Sequence, residues 1–565
     1  MIITTTETPA EVPGAAMQSG ELLPGSGPSL GSKPADDRRR GGWRAARFVL
    51  GNPEPEDLWL SFDVVNLLPR AHHCWLVAAV GFLERIGFYG VQGNLIMYLT
   101  GPLGMSTASA AAGVSAWAGT VQVLPLAGAL AADSRLGRYR AVLAAGGLYL
   151  LSLGMLTITS MLQAPQPHAT SSPSSSMLAF FYVALYLLAL AQGFHRPCVE
   201  ALGADQFVSS DGDQSAHASR SSYFNWFHFS ISWGYAIATA VLSYVEDNVG
   251  WTVGFAACWA TMALYLAVFL LGTRTYRAEK TVGVRSLTET VRSWAASVSI
   301  FRRSDGTDAE RLLAPERDED KEQELIVRLL PIWLTSLVFA AIFSQVYTLF
   351  TKQGSTLDRR IGATLVVPPA ALQSLVSATF VTMLPLYDRV LVPMARRVTG
   401  HHAGVTTLQR IGAGMAMSGV AMAVAGLVEG RRLRVAMDAG LVDRPDVALP
   451  MSLWWVVPQY VLLGVAAVLA EIGLEEFFYD QVPDAIRSVG LALSLSAMGA
   501  GSYASSMLVS LIDWATRKWC AQSWFSDNLN RAHLDYFYWL LAGLAALEVA
   551  VFLHFASSYV YRNKG

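Results

Sequence analysis

Long apolar stretches recur along this chain, separated by shorter polar segments. A membrane-spanning helix needs about 20 largely apolar residues. Twelve stretches meet that need, near 74–99, 107–132, 141–164, 177–195, 223–245, 250–272, 328–351, 363–387, 409–428, 450–474, 488–512 and 535–559. The runs 141–164, 250–272 and 488–512 hold no charged residue at all. Soluble cores of that length and purity are rare, so the pattern predicts an all-α membrane protein with twelve transmembrane helices.

The polar intervals suggest how the spans are organised. Residues 273–327 divide them six and six, with mixed charges and a solvated middle, Arg303-Ser-Asp-Gly-Thr-Asp-Ala-Glu310. The expected domains are a cytosolic N-terminal tail (1–73), a six-helix bundle (74–272), a cytosolic linker (273–327) and a second six-helix bundle (328–565). Within the linker, 283–301 suits a short amphipathic helix on the inner membrane surface. A faint repeat relates the halves. Asp133-Ser-Arg-Leu-Gly-Arg-Tyr139 follows the second span, and Asp388-Arg-Val-Leu-Val-Pro-Met-Ala-Arg-Arg397 follows the eighth. Parallel halves that rock about a midplane site form the major facilitator arrangement.

Lys and Arg concentrate on the cytosolic side of membrane proteins. With both termini in the cytosol, that side carries Arg38–Arg40, Arg135, Arg138, Arg140, the basic stretch 274–303, Arg389, Arg396, Arg397, Arg562 and Lys564. The opposing loops 100–106 and 165–176 carry none. One outer loop, expected at 429–449, disagrees. It holds Arg431, Arg432, Arg434 and Arg444, accompanied by Glu429, Asp438, Asp443 and Asp446.

Composition agrees with a membrane protein. The chain is 53% hydrophobic and 15% charged, against about 25% charged residues in soluble domains. A net charge of −2 argues against nucleic acid as a partner. Residues 1–37 are rich in Ser, Pro, Gly and Thr and lack the basic start and apolar core of a signal peptide. Cys74, Cys198, Cys258 and Cys520 have no metal-ligand spacing. His72–His73–Cys74 suggests no fourth ligand, so no metal or cofactor is expected.

The chemistry lies in charges that interrupt the spans. Ionisable residues inside a bilayer are costly and usually face a wet cavity or a partner in the bundle. Glu84–Arg85 interrupt the first span, His195–Arg196 end the fourth, Glu471 lies in the tenth and Glu548 in the twelfth. This points to a path for a solute, hence a transporter. No nucleophile–base pair or metal set suggests an enzyme.

Several strings, in order along the chain, carry a family likeness. They are Asn94-Leu-Ile-Met-Tyr-Leu-Thr-Gly-Pro-Leu103, Gly203-Ala-Asp-Gln-Phe207, Tyr223-Phe-Asn-Trp226, Leu330-Pro-Ile-Trp333, Gln353-Gly354 with Asp358-Arg359, and Pro385-Leu-Tyr-Asp-Arg389. Thr407-Leu-Gln-Arg410, Pro458-Gln-Tyr460 and Glu476-Phe-Phe-Tyr479 follow. The chain resembles the plant nitrate transporter 1/peptide transporter family, within the proton-coupled oligopeptide transporters. The resemblance implies a twelve-helix major facilitator fold, alternating access and proton coupling. Residues 52–75 fit it poorly and read as an atypical insertion, which would start the first helix at Cys74.

The resemblance also implies roles. Its Glu-x-x-Glu-Arg motif corresponds to Gly81-Phe-Leu-Glu84-Arg85, so the first carboxylate is missing. Glu84 would carry the proton, with Glu471 as a displaced assistant one turn beyond Ala467, where the family has a binding-site Glu. Otherwise Glu471 joins Glu475 and Glu476 in gating contacts. Arg196 replaces the family Lys before Pro197; it stays protonated and presents a planar fork to a carboxylate or an anion. Phe343 stands where nitrate carriers can have His. His195 is either a hydrogen-bonded packing residue or a proton relay, and His228 is open to the same two readings. Tyr89, Tyr347 and Trp455 could stack on an organic solute. Asp133, Arg138, Asp388 and Glu476 would make and break contacts between the halves as gates.

The expected function is secondary active, proton-coupled symport of an anion such as nitrate or an organic anion. The partners are the solute, protons and the bilayer, in the plasma or vacuolar membrane. The alternatives are a di- or tripeptide symporter, for which Gly81 and Ala467 remove two carboxylates, and a transport-deficient ligand sensor.

Overall fold

The computed structural model describes residues 68–132, 136–163, 174–205, 227, 229–274, 276, 318–362, 365–399, 405–481, 487–519 and 522–559. The chain divides into two units, Met1–His72 and His73–Gly565. Of the first, only 68–72 are described, as the start of a helix. Most of the expected tail and linker, with the 283–301 segment and His228, lies outside the described residues.

Helices account for nearly all of the rest. The first half holds α1 (Leu68–Thr100), α2 (Thr107–Ala131), α3 (Arg138–Leu162), α4 (Ser175–Asp205), α5 (229–248) and α6 (Trp251–Leu271). The second half holds α7 (Asp318–Phe343), α8 (Ser374–Leu386), α9 (Thr407–Asp438), α10 (Val457–Gln481), α11 (Arg487–Trp519) and α12 (Leu534–Ser558). Among the described residues ten helices are long and apolar enough to cross a membrane. The other two of the expected twelve are α1, which carries Glu84–Arg85, and α5, which passes through a π-turn at Ala238–Leu242.

Local chemistry sets several boundaries. α1 begins at Leu68 rather than Cys74; Pro69 falls in its first turn, where a missing N–H breaks no helical bond. Thr406 and Gln409 form a reciprocal capping box at the start of α9. α7 continues through a 3-10 turn, Ser344–Tyr347, into a short helix, Leu349–Ser355. After Pro385, α8 loosens into a π-turn, Tyr387–Leu391, before Val392–Thr399. Two short ladders lie in the loops: Leu357–Asp358 runs parallel to Leu449–Ser452, and Arg360–Ile361 runs antiparallel to Leu365–Val366.

Within the first half α4 packs against α2 and α3, and α3 against α6; within the second, α9 packs against α10 and α12, and α7 against α11. α2 and α11 cross where the halves meet. Glycines let the backbones touch: a Cβ at Gly119 would lie 2.9 Å from the Gly499 carbonyl oxygen, the small-residue contact of membrane bundles. Thr120 and Tyr503 share a hydrogen bond of 2.7 Å beside it. Leu151, Ile158, Leu271, Met507 and Leu553 point outward, as an apolar solvent requires.

More bonds join the halves at the end where α1 finishes. Lys352 Nζ donates to Thr100 Oγ1 at 2.9 Å, Gln373 Nε2 to the Gly93 carbonyl at 2.7 Å, and Arg359 Nη1 to Asp247 at 2.6 Å. The Thr107 N–H donates to Asp527 at 2.8 Å. These bonds hold the two halves together at the Thr100 end.

The loop expected at 429–449 is helical as far as Asp438. Its charges allow this because they are met inside the helix bundle. Arg432, with 0% exposure, donates from Nη2 to Glu429 at 2.6 Å and from Nε at 2.8 Å. Its other bonds reach Asn530 at 2.8 Å and the Leu529 carbonyl at 2.6 Å. Gln353 Nε2 donates to Glu429 at 2.7 Å and Gln459 to Gln353 at 3.0 Å. Removing one partner of such a pair strands the other charge, at a cost of about 3–5 kcal/mol, whereas replacing both with apolar residues is often neutral. Arg432→Leu is therefore expected to lower the thermal unfolding temperature of the purified protein more than the double replacement Glu429→Leu/Arg432→Leu does.

Candidate functional site

Three helices converge on Glu84. α1 carries the carboxylate, α3 brings Tyr149, and α4 brings Gln192, His195 and Arg196, whose spacing places them on one helical face. Glu84 is 1% exposed. Tyr149 donates its hydroxyl hydrogen to Glu84 Oε1 at 2.8 Å. Arg85 Nε lies 3.7 Å from Glu84 Oε2, with its guanidinium 5.5 Å from the Tyr89 ring centre. The Gln192 amide is satisfied when its nitrogen faces Glu84 and the Tyr149 hydroxyl and its oxygen accepts from Arg85 Nη1 at 3.2 Å, an orientation assigned from the network. The carboxylate thus sits in a buried cage of donors.

His195 completes the cage without bonding to it. Nδ1 is 3.8 Å from Glu84 Oε2, beyond hydrogen-bond length, and neither ring nitrogen has a hydrogen-bond partner among the described residues. The ring meets Tyr149 and Tyr265 edge-on, at 5.9 and 5.3 Å between centres. In this arrangement the ring makes aromatic contacts and no hydrogen bond among the described residues.

The missing carboxylate at Gly81 has a packing counterpart. A Cβ there would lie 2.8 Å from Phe227 Cε2 and 3.3 Å from Ile231 Cγ2. An aromatic ring fills the space that a second acid would need.

Next to the cage lies a small cavity between the halves. Arg196 lines it, with Tyr89 and Gln122 from the first half and Phe343, Tyr347 and Ser502 from the second. Arg196 is the one charged residue among those lining it, and its Nη1 donates to Gln122 at 2.7 Å. Glu471 and Glu475 on α10 lie within electrostatic reach of Arg196. The stacking role expected of Trp455 does not hold. It is exposed, 4.0 Å from the Arg431 guanidinium, because the turn before α10 faces outward.

The expected gates are less gathered. Asp133 lies outside the described residues. Asp388 falls in the π-turn after α8, with its side chain outside the description, and Arg138 opens α3. Glu476 accepts from Arg410 Nη1 at 3.1 Å. Both belong to the second half, so this contact does not bridge the halves. Arg410 also donates to the Val468 carbonyl at 2.9 Å and covers the Tyr387 ring. Glu548 accepts from the Phe339 backbone N–H at 2.9 Å, tying α12 to α7. Its other oxygen has no hydrogen-bond partner among the described residues.

Tyr149, Gln192 and Gln122 escape sequence reasoning. A signal existed: Gln192 precedes His195 by three positions and Gln122 is a lone amide in the second span.

The PTR2 profile of the POT family matches residues 139–525. The chain is 43% identical to Protein NRT1/PTR FAMILY 5.10 of Arabidopsis thaliana, covering 98% of this chain and 99% of that protein. It is 44% identical to NRT1/PTR FAMILY 5.13 of the same plant, covering 88% and 94%. The crystal structure of an auto-inhibited POT family peptide transporter superposes with a TM-score of 0.68 at 20% identity, over 87% of this chain and 98% of that one. A POT family transporter in complex with 5-aminolevulinic acid superposes at 0.63 and 16% identity, over 86% and 96%.

The Phe227 contact yields a test. Gly81→Glu is expected to lower the yield of monodisperse protein, and Gly81→Glu/Phe227→Ala to recover it, as read by size-exclusion chromatography.

Proposed function

The chain belongs to the POT family, and on that footing we propose that it is a proton-coupled symporter of a small anion, working by alternating access. The observation that carries the proposal is a caged carboxylate beside a cavity whose charged lining residue is Arg196. Glu84 takes the proton. Ionised, it is held by Tyr149, Gln192 and Arg85; neutral, it loosens its hold on Arg85. Arg196 offers the solute a fixed cation, and Tyr89, Phe343 and Tyr347 supply faces for an organic anion. Glu471 competes with the solute for Arg196, so arrival of an anion frees that carboxylate to take up a proton. Gln92, Gln122 and Ser502 add neutral hydrogen-bonding groups suited to nitrate or to an organic acid.

A peptide would need an acid for its amino group. No acid lines the cavity among the described residues, and Phe227 occupies the space beside Gly81. These observations favour an anion. Orientation follows the arginines: Arg138, Arg140, Arg389, Arg396 and Arg397 lie opposite the Thr100 end, which makes that end the outer one and both termini cytosolic. Cross-half contacts at the Thr100 end then form an outer gate.

Uptake of labelled nitrate and of a labelled dipeptide into expressing oocytes tests the reading. Nitrate uptake is expected to rise in acid, to lose that rise in Glu84→Gln and to fall at least roughly tenfold in Arg196→Gln, the loss of about 1.4 kcal/mol of binding. Uptake indifferent to both pH and Glu84→Gln would indicate a uniporter. Dipeptide uptake that nitrate does not inhibit would indicate a peptide carrier.

A further inference from the structure

We propose that Glu246, near the Thr100 end of α5, is a second proton-binding site, distinct from Glu84 and loaded as the protein closes toward that end. Glu246 is 1% exposed, and neither carboxyl oxygen has a hydrogen-bond partner among the described residues. Other orphaned groups surround it. Both ends of the Asn94 amide, Ser243 Oγ and Gln373 Oε1 are buried without partners. Asn94 lies beside the carboxyl, close enough to act on it, though no hydrogen bond joins the two. Ser243 Oγ and Gln373 Oε1 both face Gly93, 3.8 and 3.6 Å from where a Cβ would stand. So many unmet polar groups in one place are unusual.

Among the described residues no cation meets this carboxyl. On its own helix Asp247 turns to Arg359, at 2.6 Å. On α6 the titratable neighbour is the buried Cys258, and Gly254 packs against the Glu246 stem. α1 presents the neutral Asn94, and the turn Pro369–Gln373 has no ionisable residue. An ionised carboxylate alone in such a site is strongly disfavoured. A neutral acid fits instead: it carries no charge to strand, and its O–H adds a donor among neighbouring acceptors such as Asn94 Oδ1.

The cluster also straddles the gate. Gln373 comes from the second half and donates to the Gly93 carbonyl, while Asp247–Arg359 joins the halves one residue away. Opening the Thr100 end would draw Gln373 and Arg359 away and admit water to Ser243 and Glu246. The carboxylate would then exchange its proton with the solution on that side, and closure would trap it. Proton binding and closure favour each other by linkage.

The test needs no transported solute, so its outcome is separate from the symport reading. Purified full-length protein and Glu246→Gln, a near-isosteric neutral replacement, are compared by infrared spectroscopy at neutral pH and by thermal unfolding across pH. A proton held in the folded state and released on unfolding makes stability fall as pH rises. Wild type is expected to show a protonated-carboxyl band that Glu246→Gln lacks, and to release one more proton on unfolding. Asn94→Ala is expected to shift that band. Identical bands and identical pH slopes would overturn the proposal. So would stabilisation of wild type, but not of Glu246→Gln, by sodium ions, since the site would then hold a cation and not a proton.

Discussion

Charge inside a bundle that sits in hydrocarbon must be met by other polar groups, and the interior of this protein is ordered by that demand. The Glu429–Arg432 pair meets it with bonds to Gln353, Thr356, Asn530 and Leu529 and within the pair itself. A network so fully satisfied rigidifies what it joins; here it ties α9 to the end of α7 and to the loop before α12. Glu84 meets the demand through Tyr149, Gln192 and Arg85, groups on three helices. Glu548 meets it by half, and Glu246 among the described residues not at all. The less completely a carboxyl is met, the more its protonation depends on the arrangement of the helices around it.

The two halves supply the arrangement that can change. Where α2 and α11 cross, Gly119 and Gly499 bring the backbones together, a contact without long side chains to disengage. Toward the Thr100 end the contacts are individual hydrogen bonds and an ion pair. Such a boundary suits two discrete packings better than a continuum, because close-packed interfaces are bistable. The cavity with Arg196 lies between the halves, so its access and its electrostatics change together.

Three positions that the sequence singled out carry no charge. Gly81 is closed by Phe227, Ala467 is buried on α10, and Phe343 presents a ring. What remains is one lining guanidinium among amides, hydroxyls and aromatic faces.

The amino-acid sequence alone determined the spans, since bilayer thickness acts on each helix separately and writes itself into consecutive residues. It also exposed Glu84–Arg85 and His195–Arg196, because charges stand out against an apolar run. It misread 429–449 as a loop, since the partners that make Arg432 tolerable in a helix lie at Leu529 and Asn530. Trp455 could not be placed, because the direction a turn faces is set by what packs behind it. Tertiary structure alone decided that Tyr149 and Gln192 cage Glu84, from 65 residues away in one case and 43 apart from each other. It likewise put Phe227 against Gly81 and left Glu246 without a hydrogen-bond partner among the described residues. Hydrogen-bond partnership is a matter of a few ångströms between helices, and nothing in the order of residues along one helix specifies which residue of another will face it.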